Sequence, residues 1–389
     1  MVVLAIVMLW VASQIAKAHA YMLNGDFFTF WLGGHMIGVG EHPYDEQLWL
    51  ANHEKYGAIW IPNRAYVYPL PLTIIFAPLG ILNLHQAAIA WVFLSMIMIL
   101  VSVALLISLW RVEDLRHYIL PVIAGVFTFR PVLVTLRNGQ LGALLLFWLA
   151  LVLYLWHRGR WILGGLLLPF LILKPSIGSL IVGLVSIWLM VQKRWKVLVA
   201  IVASMLALAV LGWLIDPAWM GEYLGIGVNK FVNVFGYSPT IWGMTHQICG
   251  ENLGCTIMLG SGLAITLIGL YLWVLFRFGK NLQPSLVGAL GVCVSLLLTP
   301  YLWAYDQILL IVPILVIIDE LVVRDFPYLL CASFPILMSG FSLALILVAL
   351  KISYDVWSGL LSLVSLLLLI FVCVSGFRPG VFIETQSEI

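Results

Sequence analysis

Apolar runs close to the length of a bilayer crossing follow one another along almost the whole chain. Hydrophobic residues make up 63% of the 389 residues and charged residues 9%. A water-soluble domain cannot bury that share of apolar side chains, so the lipid bilayer must act as the solvent. Each backbone amide then needs a partner inside the protein, which makes the fold mostly transmembrane helix. We therefore predict an all-α polytopic membrane protein.

The runs form one integral membrane domain, residues 1–389, with about twelve transmembrane helices. The N-terminal run lacks the basic start of a secretory signal and is interpreted as a retained first helix. The stretch 69–82 holds Pro69, Pro71 and Pro78, so we predict that it is re-entrant or only partly inserted. The candidate spans are 2–18, 86–110, 118–136, 141–157, 161–175, 177–191, 197–215, 256–276, 285–302, 303–323, 327–350 and 356–376.

The loops fall into two sets, one rich in lysine and arginine and the other with fewer of them. The basic set holds Arg111, Arg116, Arg158, Arg160, Lys193, Arg194, Lys196, Arg277, Lys280, Arg324 and Arg378. The opposite set holds Lys55, Arg64, Arg137, Lys230 and Lys351. The positive-inside rule places the first set, and both termini, in the cytoplasm and turns the long loops 21–68 and 216–255 outward. The expected location is the plasma (inner) membrane, and a net charge of +2 argues against a nucleic-acid partner.

The first outer loop is patterned. Aromatic and small residues recur at helical spacing over 26–38, which predicts an amphipathic helix lying on the bilayer surface. Residues 45–56 predict a second short surface helix. In the second outer loop, Cys249 and Cys255 either form a disulfide or remain free thiols, because spacing alone does not fix their geometry.

Asp26 is the carboxylate best placed for chemistry on an amphiphilic molecule. It directly precedes an aromatic segment just outside the first span. One hypothesis is a general base that takes a proton from an acceptor hydroxyl while a lipid phosphate leaves a sugar carbon. The alternative is an N-cap that accepts the amide of Phe28 or Thr29.

Other polar residues at the predicted outer ends of spans each have more than one interpretation. Arg137, with Asn138 and Gln140, suits phosphate oxygens or forms an ordinary interfacial turn. Lys174 either balances a lipid phosphate or lies at the interface in a tight outer hairpin. Asp306 binds sugar hydroxyls, pairs with a cation, or complements the start of a helix.

Two further residues are candidates on weaker grounds. His246, on the second outer loop, is a surface histidine or a phosphate ligand. Tyr68, with Pro69, is expected to shape the re-entrant stretch. His35, His42 and His53 lie beside acidic residues, but their spacing matches no standard metal site, so we predict no metal.

Six short motifs occur in a fixed order between about residues 24 and 310. They are GDFFTFW, G-x-x-PYD, YPLPL, RNGQ, LKPS and TPYLWAYD. This ordered series resembles the polyprenol-phosphate-mannose-dependent mannosyltransferases, glycosyltransferase family 87 of the C-type membrane glycosyltransferases. Two positions depart from the family pattern: Leu70 separates Pro69 from Pro71, and Gly142 stands where asparagine is frequent. Mannose is therefore a default.

The resemblance implies a C-type fold and the inverting transfer of one sugar from a polyprenyl phosphate on the outer side. It implies Asp26 as general base. It also maps the family's Gly-Gln onto Gly139 and Gln140, Lys-Pro onto Lys174 and Pro175, and late Pro and Asp onto Pro300 and Asp306.

The leading hypothesis is a hexosyltransferase that builds a glycolipid or envelope glycan. Its expected partners are a polyprenyl-phosphate sugar, the acceptor and membrane lipids. The donor is a co-substrate, and no cofactor is expected. The alternatives are a transporter or flippase for lipid-linked sugars, which also places charges among broken helices, and an assembly factor that binds a partner through its outer loops.

Overall fold

The computed structural model describes residues 2–17, 25–58, 65–111, 115–231, 235–352 and 355–375. Helices and connecting loops, without a strand, make up these described ranges. Of the basic residues counted above, Arg64, Arg378 and the side chain of Lys230 lie outside the described part.

The helices follow in chain order. They are α1 Val2–Lys17, α2 Asp26–Gly38, α3 Glu46–Lys55, α4 Pro71–Gly80, α5 Leu84–Ile107, α6 Arg116–Thr128, α7 Arg130–Asn138, α8 Gly142–His157, α9 Trp161–Leu167, α10 Pro175–Val191, α11 Trp195–Ile215, α12 Trp219–Phe231, α13 Ile241–Cys249, α14 Leu253–Phe278, α15 Pro284–Leu298, α16 Ile311–Val323, α17 Tyr328–Ile352 and α18 Gly359–Ser375. Short 3-10 helices cover Leu168–Leu173, Phe235–Tyr237, Gly279–Asn281, Ala304–Leu310 and Val356–Ser358.

The all-helical membrane architecture is confirmed, but the number of crossings is not. Each of the twelve predicted spans contains helix within the described residues. Five helices are long and apolar enough to cross a bilayer alone, and a sixth results if α6 and α7 count as one bent span. Several others are apolar but shorter than the roughly 20 residues that a straight crossing needs. Twelve crossings remain a prediction.

The first outer helix, α2, is confirmed over Asp26–Gly38 but does not lie on the surface. Its residues from Phe27 to Gly34 are all buried, on every side of the helix. A Cβ on Gly34 would lie 2.5 Å from the Phe76 carbonyl of α4, and one on Gly80 would lie 2.5 Å from the His35 backbone nitrogen. A helix that is apolar or small all round belongs inside the protein, so the amphipathic surface prediction is wrong.

Helix α4 occupies the proline-containing stretch 69–82. Its ten residues extend about 15 Å at the usual helical rise, roughly half of the hydrocarbon thickness. It packs along α2 by the close approaches just described. Its length therefore fits the re-entrant or partly inserted form. The second outer helix, α3, is confirmed, and the Asp45 carboxylate caps it by accepting the Gln47 and Leu48 amides.

The predicted span 118–136 is a bent pair of helices. The chain turns by 53° between α6 and α7, where Phe129 is extended. Pro131 lacks an amide and would clash with the carbonyl one turn earlier, which explains the break. Arg130 consequently begins α7, and its guanidinium makes two contacts with the Asp355 carboxylate, at 2.9 and 2.5 Å.

Segments assigned to the same side by their basic residues do meet in space. At the basic end, Arg111 contacts Asp319 and Glu320, and the Tyr328 hydroxyl donates to the His117 carbonyl. At the other end, the outer loops contact each other between His42 and Asp216. The protein thus has two distinct ends, and the positive-inside rule assigns the basic one to the cytoplasm.

Candidate active site

Asp26 lies at the first turn of α2, and its carboxylate is held from two other elements. Gly25 occupies the N-cap position without a side-chain cap bond, so Asp26 is not the N-cap. Its Oδ2 accepts a hydrogen bond from the Gln140 side-chain amide, and the Tyr305 hydroxyl lies 3.4 Å from the same oxygen. The side chain is half-buried. Asp26 and Gln140 are 114 residues apart in the sequence, and the fold brings them into direct contact.

A left-handed glycine directs Gln140 toward Asp26. Gly139 ends α7 with φ +62°, a conformation that side-chain-bearing residues rarely adopt. A Cβ there would also lie 2.7 Å from the Phe27 Cβ, so glycine lets α2 approach. The Gly139 carbonyl accepts a hydrogen bond from the Trp91 indole N–H at 2.8 Å. The left-handed conformation, the close contact with Phe27 and this hydrogen bond together fix the turn, and the fully buried Gln140 follows it directly.

Lys174 and Asp306 form a buried ion pair beside Asp26. The ammonium donates to Asp306 Oδ1, and the two residues are 4% and 1% exposed. The same ammonium lies 4.8 Å from the centre of the Tyr305 ring. Lys174 is therefore not an interfacial lysine in an outer hairpin. Its charge is matched by a carboxylate, which leaves it less available to a phosphate than the sequence suggested.

Two proline-induced breaks bring this pair together. Lys174 precedes Pro175 and separates the 3-10 helix Leu168–Leu173 from α10. Thr299 precedes Pro300 and ends α15 in an extended conformation, as expected for a residue before proline. After this break, the Trp303 amide donates to Asp306 Oδ2 at 3.0 Å. Asp306 thus both stabilises the start of the 3-10 helix Ala304–Leu310 and pairs with a cation.

Gly142, one of the departures from the family pattern, has a packing reason. A Cβ at this position would lie 2.7 Å from Ile308 Cγ2 and 3.4 Å from the Tyr305 carbonyl oxygen. The neighbouring Thr135 hydroxyl donates to that carbonyl at 3.1 Å. The segment that carries Tyr305 therefore sits directly on α7 and α8, and an asparagine at 142 would displace it.

Tyrosine hydroxyls surround the two carboxylates. Burial raises the pKa of Tyr68 well above its ordinary value, and the charge of Asp26 adds to the rise. Phenols are protonated at neutral pH with or without such a shift, so Tyr68 and the nearby Tyr301 can both donate hydrogen bonds. The Tyr68 backbone carbonyl accepts the Tyr44 hydroxyl at 2.6 Å, which holds the loop before α4.

Arg137 and Asn138 are close to Gln140 in sequence but are less buried. Arg137 is exposed, whereas Gln140 is buried. Arg137 lines a cavity of about 460 Å³ between α7 and the last turns of α17, together with Arg130 and Asp355. Asn138 is half-buried at the end of α7.

The four candidate histidines lie on the two outer loops. His246 is half-buried on α13, where a Cβ on Gly236 would lie 2.6 Å from its ring. His42 lies 3.1 Å from Asp216 and 3.9 Å from Glu222, so it joins the first outer loop to the second. From the sequence, His42 was compared only with acidic residues of its own loop, so this contact was missed. His35 hydrogen-bonds with the Gly80 carbonyl of α4, and His53 with the Trp49 carbonyl one turn earlier on α3, each at 2.8 Å.

Cys249 and Cys255 form a disulfide between the end of α13 and the start of α14. Of the two alternatives left open by the sequence, the structure therefore shows the bonded one. Cys293, Cys331 and Cys373 are free and buried, as expected for small core residues.

The sequence model of glycosyltransferase family 87 matches residues 66–300. That match covers more than half of the chain. The chain belongs to glycosyltransferase family 87. No curated protein and no solved structure matches it in the corresponding comparisons. Membership makes this protein a membrane glycosyltransferase, in agreement with the all-helical fold.

The matched region of this family 87 glycosyltransferase contains only part of the site. Gln140, Lys174, Tyr68 and His246 fall inside residues 66–300. Asp26 and Asp306 fall outside it. The fold brings these two carboxylates onto partners within the matched region, since Gln140 holds Asp26 and Lys174 holds Asp306.

Two contacts in this glycosyltransferase were not predicted from the sequence. Tyr305 entered the sequence analysis only as part of the motif TPYLWAYD, although its hydroxyl lies 3.4 Å from Asp26 Oδ2 and its ring lies 4.8 Å from the Lys174 ammonium. Arg130 lay within a predicted span and its pairing with Asp355 was missed. An arginine directly before a proline inside an apolar run was the available signal, because a charge there needs a partner.

Proposed function

We propose that this glycosyltransferase transfers a single sugar, mannose by default, from a polyprenyl-phosphate donor to a glycolipid or envelope glycan on the extracytoplasmic side. Asp26 is the general base, and the anomeric carbon is inverted. The observation that carries the proposal is the Asp26 carboxylate, half-buried at the outer end of the helices and oriented by the Gln140 amide.

The reaction is a single displacement. The acceptor hydroxyl gives its proton to Asp26 as its oxygen attacks the anomeric carbon, and the bond from that carbon to the phosphate oxygen breaks. One displacement inverts the anomeric centre, and the carrier leaves as polyprenyl phosphate. Because Gln140 and Tyr305 both address Oδ2, they fix the plane of the carboxylate. A base held in this way acts within hydrogen-bond reach of the incoming hydroxyl.

The negative charge that develops on the leaving phosphate must be stabilised by hydrogen-bond donors or cations near the site. Tyr68 and Tyr301 are neutral phenols close enough to Asp26 to feel its charge, so they are suitable hydrogen-bond donors. Lys174 keeps the Tyr305 segment in place through Asp306 and supports the site indirectly. Arg137 and His246 remain the candidate cations for the leaving phosphate.

The test is Asp26→Asn in membranes supplied with radiolabelled polyprenyl-phosphate mannose. We expect transfer to fall by about a hundredfold to ten-thousandfold, the usual contribution of a general base. Expression, thermal stability and donor binding should remain close to wild type, because asparagine has nearly the same shape. The matched control is Asp45→Asn on the same outer loop. Asparagine caps a helix as well as aspartate does, so this variant should keep full transfer.

Wild-type transfer by Asp26→Asn would refute the proposed base. Donor that crosses vesicle membranes unconsumed, at equal rates in both proteins, would favour the transporter alternative. If mannose is not transferred by the wild type, other polyprenyl-phosphate hexoses in the same assay identify the sugar, and the Asp26→Asn comparison is repeated with the active one.

A further inference from the structure

Two helix corners at the basic end have the same backbone form and lie side by side. One joins α8 to α9 through Gly159, and the other joins α10 to α11 through Lys193. These two residues have φ of +74° and +55°. The arginine that follows each has nearly the same conformation, with φ −84° and ψ 60° at Arg160 and φ −84° and ψ 57° at Arg194. A tryptophan then begins each helix.

The two corners enclose a basic cleft of about 830 Å³. Arg160, Lys193, Arg194 and Lys196 line it, and none of the described residues that line it carries a carboxylate. All four cations are exposed. This differs from Arg111, at the same end of the molecule, whose charge is met by two carboxylates. The cleft therefore attracts an anion from outside the protein.

One wall of the cleft is preorganised. The Arg194 guanidinium lies 3.6 Å from the centre of the Trp161 ring. Trp161 in turn stacks on Trp156, whose indole donates to the Trp161 carbonyl at 3.0 Å. Stacking on an aromatic face leaves the edge of the guanidinium, with its hydrogen-bond donors, directed toward a ligand.

The apolar part of the lining indicates the kind of anion. Ile162 and Trp195 line the cleft and are 52% and 59% exposed, and Val199 continues the apolar surface along α11 at 67%. A free phosphate would satisfy the cations but would leave this apolar wall uncovered. A lipid satisfies both, because its phosphodiester meets the arginines and its acyl chains lie along α9 and α11.

We infer that this cleft is a binding site for an anionic phospholipid of the cytoplasmic leaflet, held by Arg160, Arg194 and Lys196 through its phosphodiester. Basic residues are common at cytoplasmic helix ends in general. Here they converge from two corners on one concave site without internal acids, which is the form that binds anionic headgroups. The site is separate from Asp26 and its donor.

The test is lipid binding by the purified full-length protein, measured by native mass spectrometry and by thermal stabilisation. The probes are phosphatidylglycerol, phosphatidylcholine and inorganic phosphate. We expect wild-type protein to retain phosphatidylglycerol and to be stabilised by it alone. Arg160→Gln/Lys196→Gln should weaken apparent binding about tenfold or more, given the contribution of each cation near an anionic surface. This variant leaves the Arg194–Trp161 stack intact, so it should fold.

The matched control is Arg116→Gln/Arg277→Gln, which removes two exposed cations from the same end but outside the cleft. It should bind phosphatidylglycerol like the wild type. Equal losses in both double variants would overturn the inference in favour of a diffuse surface effect. Equal retention of phosphatidylcholine, or equal stabilisation by inorganic phosphate, would also overturn it. Sugar transfer is not the readout, so the result is independent of the proposed function.

Discussion

The helical segment 304–323 carries carboxylates near both ends, and the cations that pair with them are buried to different extents. At the outer end, Asp306 pairs with Lys174, and both side chains are almost fully buried. At the basic end, which the positive-inside rule predicts to be cytoplasmic, Arg111 contacts Asp319 and Glu320 at 2.9 and 2.6 Å, with its own side chain 34% exposed. One end is a matched pair, and the other is a partly hydrated cluster.

The difference indicates what each cluster is for. Two charges buried together cost desolvation energy that their attraction repays only with good geometry, so such a pair adds little net stability. A half-exposed cluster costs less to form and contributes modestly. The outer pair also touches Tyr305, which contacts Asp26. We therefore expect the outer pair to matter for transfer and the inner cluster for stability alone.

Breaking the outer pair should have the largest effect. Lys174→Met leaves the Asp306 carboxylate buried without its cation, which should lower the free energy of unfolding by about 3 to 5 kcal/mol. Thermal unfolding in detergent, followed by size-exclusion chromatography, measures this. Lys174→Met/Asp306→Asn removes both charges and should recover most of the stability, while transfer stays low because Tyr305 is no longer fixed.

The matched control is Lys351→Met, which removes an exposed lysine in the last turn of α17. It should unfold at the wild-type temperature. Were Lys174→Met also to unfold there, the outer pair would lack the energetic role assigned to it. Full transfer by the double variant would show instead that the pair serves the fold alone.

Removing the amide that orients Asp26 should have an intermediate effect. Gln140→Ala deletes one hydrogen bond to a carboxylate, so transfer should fall about tenfold to a hundredfold, mainly in kcat. Gln307→Ala is a matched control, because Gln307 is equally buried but donates to the Ser358 carbonyl at 2.8 Å. Both variants should lose similar stability, and only the first should lose transfer per folded molecule. Equal loss of transfer would make Gln140 a structural residue.

The outer site shows which features the sequence could predict. The boundaries of α2 were predicted because aromatic residues recur at helical spacing after Asp26. The order of the motifs carried the family resemblance, and the resemblance made candidate site residues of Asp26, Gln140, Lys174 and Asp306. Pro175 also separated the candidate spans 161–175 and 177–191, since proline acts on its immediate neighbours. Pro300 was placed inside the candidate span 285–302, whereas the helix ends at Leu298.

The remaining features depend on contacts between distant residues. Lys174 and Asp306 are 132 residues apart, and Arg130 and Asp355 are 225 apart, so no spacing rule connects either pair. The burial of α2 depends on where α4 approaches Gly34, which the pattern of α2 alone does not contain. Both interpretations of Lys174 from the sequence gave it an external partner, whereas the fold supplies an internal one, Asp306.

Breaking the inner cluster should have the smallest effect. Arg111→Gln removes the guanidinium, but the residue 111 backbone amide still donates to Asp319 Oδ1 at 2.9 Å, so that carboxylate keeps one partner. Glu320 also keeps Arg324, at 3.4 Å. We expect a loss of about 1 kcal/mol in the free energy of unfolding, as for other partly exposed ion pairs, and unchanged transfer per folded molecule. Loss of transfer without loss of stability would mean that charge at the cytoplasmic end of the segment alters the site at its outer end. The two ends would then be one coupled unit, and the contrast between them would fail.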